Sequence, residues 1–295
     1  MTTYSVLWHR LLPLYDPDEA QSIVRWVLDA LFGLSLTDIV CGEVSRLSAA
    51  DADRLEDLMR RLEQGEPVQY VVGETSFGGR SFQVAPGVLI PRPETEELCS
   101  RIVAANSHPY CGLQPPEPLR VLDVGTGSGC IACTLALDLS PVRVSAWDIS
   151  PDALLMARDN AHRLQAEVNF VCRDALLAAH EAEAQGETDL WDIIVSNPPY
   201  IAEKEQAGMR PNVLRYEPRL ALFVPDDDPL RFYRAIARYA RLTLRSGGQL
   251  WFEINPLFAD PLERMLVELG FVHVAILSDT FGRKRFAQAV MGNGR

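Results

Sequence analysis

The sequence has no stretch of roughly eighteen uncharged apolar residues, and its opening, MTTYSVLWHRLLPLYDPDEA, has no basic cluster leading into an unbroken apolar run. The first absence argues against a membrane-spanning helix and the second against a secretory leader, so an unanchored, cytoplasmic protein is expected. Cysteine is sparse and scattered, at 41, 99, 111, 130, 133 and 172, and CIAC (Cys130 to Cys133) is its one CxxC pair. A four-ligand zinc site would need two more thiolates or histidines at suitable spacing, and a redox dithiol a thioredoxin-like setting. No metal site is therefore expected, and Cys130 and Cys133 read as small apolar residues of a buried helix. Positive charge is in deficit: 28 Lys and Arg against 40 Asp and Glu give a net charge of −12. The average field repels polyanions, which argues against a nucleic-acid substrate.

What is present suffices for a full core. At 295 residues and 47% hydrophobic composition, two domains are expected, one small and one large. In DPDEAQSIVRWVLDALFG, Asp16 reads as an N-cap, Pro17 as the first helical residue and Gly33 as the stop, with Ile23, Val27, Ala30 and Leu31 on one face. A second helix follows Ser48 and Asp51, which resemble a capping box. Its stripe is Leu55, Leu58, Met59 and Leu62, and Gly65 and Pro67 end it. Residues 1–70 are thus expected as a small helical domain. YVVGETSFGGRSFQV alternates about Gly78-Gly79, which predicts a hairpin linker over 71–92. A short acidic helix follows LIPRPETEEL, and the proline-rich stretch from Asn106 to Pro118 reads as a solvated loop.

From Arg120 the runs RVLDV, IACTLALDL, RVSAWD, PDALLMARDNAHRL, VNFVC, WDIIVS, DPLRFYRAIARYARLTL, QLWFEI and PLERMLVELG alternate strand-like and helical patterns. This predicts an α/β domain over 93–295, a doubly wound, mostly parallel sheet with helices on both faces, closed by a hairpin of FVHVAILSD and RFAQAVM.

The first of these strands runs into Asp123-Val124-Gly125-Thr126-Gly127-Ser128-Gly129. Alternate glycines permit positive φ and let a ligand lie on bare backbone, while the following helix offers free N–H groups. RVSAWD ends in Asp148, about twenty residues on, where an acid can accept from both hydroxyls of a ribose. Asp174 and Ala175 close the third strand, where an adenine would lie; Asp174 reads equally as a helix N-cap. A dinucleotide and S-adenosylmethionine both fit this set, and GxGxG rather than GxGxxG favours the latter.

SNPPYI follows WDIIV at the carboxyl edge of the sheet, where open α/β folds bind ligands. An amide or ring-bound NH₂ is a poor nucleophile, because its lone pair is delocalised. Two acceptors on its N–H bonds would fix it and turn it toward an electrophile. The Asn197 side-chain carbonyl and the Pro198 main-chain carbonyl supply such a pair, Pro198 and Pro199 stiffen the turn without adding donors, and Tyr200 can stack on the planar group.

With GEPVQYVVGETSFGGRSFQV, LIPRPETEEL, DVGTGSGCIA, DISPDALLMARDNA, VSNPPYI, YEPRLAL and DTFGRKRF, nearly the whole chain resembles the protein-(glutamine-N5) methyltransferases, most closely those acting on peptide chain release factors. The resemblance implies a seven-stranded Rossmann-like class I methyltransferase fold. It implies S-adenosylmethionine as donor, and as acceptor the glutamine of a Gly-Gly-Gln loop, giving N5-methylglutamine. It places Gly125 to Gly129 on the donor's methionine portion, Asp148 on the ribose, and Ala175 near the adenine, where relatives often carry an aromatic. Asn197, Pro198, Pro199 and Tyr200 would hold the glutamine amide. Arg92, Pro93, Thr95 and Glu96 would wall the donor, and Glu217 of YEP would buttress the pocket. Rival readings are a ribosomal-protein glutamine methyltransferase, a DNA or RNA amino-methyltransferase, and a non-enzymatic donor-binding protein.

Overall fold

The computed structural model describes residues 2–107, 117–188 and 190–293. Most of the proline-rich stretch read as a loop, 108–116, lies outside the described residues. By contacts the chain divides into two units. One comprises Met1–Glu74, Val84–Pro86 and Met209–Tyr216; the other comprises Thr75–Gln83, Gly87–Gly208 and Glu217–Arg295. The linear boundaries expected from sequence do not anticipate the return of 84–86 and 209–216 to the first unit.

In the first unit, Asp16 Oδ1 accepts from the N–H groups of Asp18 and Glu19 at 3.0 and 2.9 Å, opening the helix Pro17–Phe32, which Gly33 ends in the left-handed region. Its buried face is Ala20, Ile23, Val24, Val27 and Leu28. Ala30, expected on that face, is exposed, because the stripe follows the i, i+3, i+4 rows from Ala20. Ser48 caps the helix Ala49–Glu63 by accepting from Asp51 N–H at 3.1 Å, and Leu55, Leu58, Met59 and Leu62 are all buried. Sequence periodicity misses the short helices Tyr4–His9 and Leu36–Val40, each under two turns. Val68–Val72 is also helical and ends at left-handed Gly73, so Tyr70 to Val72, read as the start of a strand, belong to a helix.

The hairpin itself is Glu74–Phe77 and Arg80–Gln83, shorter than expected. Gly78 and Gly79 both have positive φ, 57° and 71°, as a two-residue type I′ turn requires. The helix after LIPR runs Pro93–Asn106, and is longer than its acidic start suggests.

The second unit is built on seven strands: β1 (Leu119–Val124), β2 (Val142–Asp148), β3 (Val168–Cys172), β4 (Trp191–Ser196), β5 (Leu244–Glu253), β6 (Phe271–Ser278) and β7 (Lys284–Met291). Their order is β6-β7-β5-β4-β1-β2-β3, parallel except for β7, which runs antiparallel to both its neighbours. The fold class and the closing hairpin are those expected. Neighbouring residues of the central strands serve opposite faces, as the period of two demands. Leu122, Ile194, Leu250 and Phe252 pack with Tyr233 and Ile236 of the helix Arg231–Thr243. Val121, Ile193, Val195 and Trp251 pack with Leu98 and Ile131 on the other side. Burial on both faces explains why these strands read as unbroken apolar runs.

Chain direction reverses about β1: β2 and β3 lie to one side, β4 and β5 to the other. A cleft therefore opens at the carboxyl ends of β1 and β4. No helix among the described residues is long and apolar enough to cross a membrane. Cys130 and Cys133 are buried on the helix Cys130–Asp138, as small apolar residues would be. Burial pushes both thiols up to about 12.

Candidate active site

A cavity of about 230 Å³ occupies this cleft. Gly125 and Gly127, at φ 77° and 55°, line it, and a Cβ on either would meet no atom within 4 Å. The backbone is therefore bare toward the cavity, and the turn is fastened from behind. Gly125 and Thr126 donate their N–H groups to Trp147 carbonyl at 2.9 and 2.8 Å. Gly127 donates to Asp148 Oδ2 at 2.9 Å, and Ser150 N–H donates to Oδ1 at 2.9 Å. Each Asp148 oxygen keeps a lone pair for a further donor. Thr126 and Ser128 also line the cavity.

Gly129 does not. A Cβ there would stand 3.1 Å from Ala157 Cβ and 3.2 Å from its Cα, so the glycine admits the helix Pro151–Leu164 against the loop. Expected on the donor's methionine portion, Gly129 is seen packed closely against Ala157 and away from the cavity lining.

Beneath the loop Asp123 is fully buried, and its Oδ2 accepts from Thr126 Oγ1 at 2.6 Å. Burial pushes its carboxyl up to about 7, against hydrogen bonds from Thr126 and the Ala132 backbone, with Asp148 adding to the rise.

Asp174 and Ala175 line the cavity wall. Asp174 Oδ1 accepts from Leu176 N–H at 2.8 Å, a turn two residues on; the helix that follows, Ala178–Gln185, starts after Leu177 with no side-chain cap, so Asp174 is not its N-cap. Two neighbours that sequence reading missed join them: Ile149, directly after the strand-end acid, and Arg173. The Arg173 guanidinium lies 4.4 Å from the Trp147 ring centroid and 2.9 Å from Glu181.

At the other wall Ser196 Oγ donates to Val124 carbonyl at 2.6 Å, tying the end of β4 to that of β1. Asn197, Pro198 and Pro199 follow and line the cavity. Asn197 Nδ2 donates to Thr95 Oγ1 at 3.1 Å, and Thr95 Oγ1 donates to Glu253 Oε2 at 2.6 Å. Tyr200 hydroxyl donates to Glu253 Oε1 at 3.0 Å, and its carbonyl accepts from Asn255 Nδ2 at 3.1 Å. Tyr200 was expected to face the acceptor, but it does not line the cavity: its ring packs against the sheet core and its hydroxyl is held by Glu253. Burial raises the Tyr200 phenol well above its usual range, and the facing Glu253 adds to this.

Glu253, fully buried at the end of β5, is a further residue that sequence reading missed. Burial raises its carboxyl, opposed by the hydrogen bonds from Thr95 and Tyr200. Its signal was present: an acid ending the apolar run QLWFE at the same sheet edge as Asp148 and Asn197.

Arg92 and Thr95 line the cavity, whereas Pro93 is exposed at the first helical position and Glu96 sits one turn in. Glu217 is buried and not a lining residue. It accepts from Arg92 Nη2 at 2.5 Å and from Ile90 N–H at 3.3 Å, so it acts through Arg92.

Residues 112–214 match the family model described as Methyltransferase small domain, and residues 9–73 match the PrmC N-terminal domain. With the fold and the cleft, this defines the chain as a methyltransferase. The chain is 45% identical over 279 residues, 95% of each chain, to a release factor glutamine methyltransferase of Bacteroides thetaiotaomicron. It is 37% identical over 275 residues, 93% of each chain, to the protein of that name from Flavobacterium psychrophilum. It belongs to the release factor glutamine methyltransferase family. Among solved structures, human methyltransferase 10 domain containing protein superposes with a TM-score of 0.52 at 17% identity, over 74% of this chain and 90% of that one, which bears on the fold alone.

Proposed function

We propose that the protein transfers the methyl group of S-adenosylmethionine to the side-chain amide nitrogen of the glutamine in the Gly-Gly-Gln loop of a peptide chain release factor. The observation that carries this reading is the Asn197 carboxamide, held by Thr95 through its NH₂ end and opening on the same cavity as Gly125, Gly127 and Asp148.

The residues present fit the donor. The bare backbone of Gly125 and Gly127 suits its amino-acid portion, the free lone pairs of Asp148 suit two ribose hydroxyls, and Asp174, Ala175 and Ile149 suit a flat base. When bound, the donor supplies an electrophilic methyl carbon on a sulfonium sulfur and leaves as a neutral thioether. The chain's own residues prepare the acceptor. Asn197 Oδ1 and the Pro198 carbonyl accept the two amide N–H bonds, turning the nitrogen lone pair out of the amide system. Positioning of this kind is worth roughly 7–11 kcal/mol in favourable cases. No general base is needed, because the nitrogen becomes acidic only as the new C–N bond forms and then releases its proton.

The helical unit is assigned to recognition of the factor from its position ahead of the hairpin. Removing residues 1–70 should abolish methylation of the intact factor and spare a Gly-Gly-Gln peptide.

The test incubates the protein with methyl-labelled donor and, separately, a release factor, its Gln→Ala loop variant, a ribosomal large-subunit protein and total nucleic acid. Label on the factor alone, lost in the variant, is expected. Label on nucleic acid or the ribosomal protein alone overturns the reading.

A further inference from the structure

A carboxamide has two ends of nearly equal shape, and only the oxygen can accept a hydrogen bond. Whatever holds Asn197 must therefore choose between them. Thr95 carries one hydroxyl proton, and the 2.6 Å contact commits that proton to Glu253 Oε2. What Thr95 offers Asn197 is then acceptor capacity alone, so the NH₂ end must face it, as it does at 3.1 Å. Asn197 Oδ1 is left as the outward end.

Glu253 is placed to impose this order. Both its oxygens accept from hydroxyls, Oε2 from Thr95 and Oε1 from Tyr200 at 3.0 Å, an arrangement that a carboxylate satisfies without a proton of its own. Tyr233 hydroxyl, also close, donates to the Glu253 main-chain carbonyl at 3.1 Å and leaves the carboxylate to the other two.

We propose that Glu253 is a positioning residue for the transfer: through the Thr95 hydroxyl it sets the direction of the hydrogen-bond chain, so that Asn197 presents oxygen rather than NH₂ to the acceptor amide. This rests on the glutamine reading above. A chain running the other way would set NH₂ against NH₂ and lose the grip on the acceptor.

The main test is Thr95→Val, which keeps the side-chain shape and removes the hydroxyl, with Thr95→Ser as the conservative rescue and Glu253→Gln as an independent break. A glutamine at 253 has one acceptor oxygen and cannot serve both hydroxyls. Two readouts are taken. Steady-state methyl transfer to the release factor should show kcat lowered about 10- to 100-fold in Thr95→Val and in Glu253→Gln, the loss expected for a misplaced reacting group. Donor affinity should move less than about 3-fold in Glu253→Gln, whose side chain does not line the cavity, and Thr95→Ser should recover most of kcat, because it keeps the same hydrogen bonds. In the protein without donor or acceptor, the ¹⁵N side-chain amide of Asn197 should give slowly exchanging proton signals in the wild type and in Thr95→Ser, and rapidly exchanging ones in Thr95→Val. Thermal melting confirms that each variant is folded, and the nitrogen signal is read on whichever of Thr95→Val and Glu253→Gln passes. Unchanged kcat together with an unchanged Asn197 signal overturns the proposal. A wild type that never labels the factor defeats the glutamine reading, while the Asn197 signal still tests the chain of hydrogen bonds.

Discussion

The two walls of the cleft are made of different material. The glycine wall is backbone: Gly125 and Gly127 leave the main chain uncovered, and the turn is tied by main-chain donors to Trp147 carbonyl and the Asp148 carboxylate. The asparagine wall is side chain: Asn197 is held by Thr95, Thr95 by Glu253, and Glu253 is shared with Tyr200. A backbone wall is encoded within a few consecutive residues. The side-chain wall draws on three strand or helix ends more than fifty positions apart in sequence. The first should therefore fail through strain and packing, the second through misdirected hydrogen bonds.

The largest effect expected bears on the glycine wall and on stability. Asp123 keeps its proton to about pH 7 when folded, against 3.8 as its ordinary value. Between those pH values the folded chain binds a proton that the unfolded chain has lost, so stability falls as pH rises from about 4 to about 7 and levels off above. Over about three pH units the contribution is on the order of 4 kcal/mol. Urea unfolding at a series of pH values should show this slope, and Asp123→Asn should remove it. An unaltered slope in the variant would detach the loop from its buried acid.

Asn197→Ala strikes the other wall. Loss of one preorganised polar contact costs about 10²–10³ in kcat, roughly 3–4 kcal/mol, and donor affinity should stay near the wild-type value. Single-turnover transfer alongside donor calorimetry separates the two. A variant that loses donor affinity while keeping turnover would erase the distinction between the walls.

Gly129→Ala should act on folding alone. The left-handed backbone (φ 80°) and the 3.1 Å approach to Ala157 together predict a loss of roughly 2–4 kcal/mol in unfolding free energy. Gly127→Ala has open space around its Cβ, so backbone strain of about 1–2 kcal/mol remains and the main loss should be in donor affinity. Equal melting temperatures for the two alanine variants would contradict the assignment of Gly129 to packing. The smallest effect is expected far from the cleft: Ser48→Ala removes an N-cap and should cost about 1 kcal/mol in chemical unfolding of the helical unit. Methylation of a Gly-Gly-Gln peptide should not change.

The same contrast explains what could be read in advance. The sheet was legible because doubly buried strands read as apolar runs and the intervening helices as amphipathic ones, and the glycine loop because positive φ is written in its residue types. Asp148 was legible from its distance to that loop. Tyr200 could serve the acceptor or the core from sequence, and its hydroxyl bond to Glu253 was not legible there. Glu253 was passed over because nothing local to QLWFEI tells that Thr95 and Tyr200 converge on it. Gly129 looks like its two companions in sequence, and differs only in having Ala157 behind it. Glu217 was expected to support the pocket, but that it does so through Arg92 depends on a contact between residues 125 positions apart.

The most direct measurement is a crystal structure of the complex with S-adenosylhomocysteine and a Gly-Gly-Gln peptide. The glutamine amide nitrogen should lie within hydrogen-bond reach of Asn197 Oδ1 and the Pro198 carbonyl, with its free face toward the donor sulfur. A glutamine bound elsewhere, or Asn197 turned with its NH₂ toward the peptide, would contradict this placement.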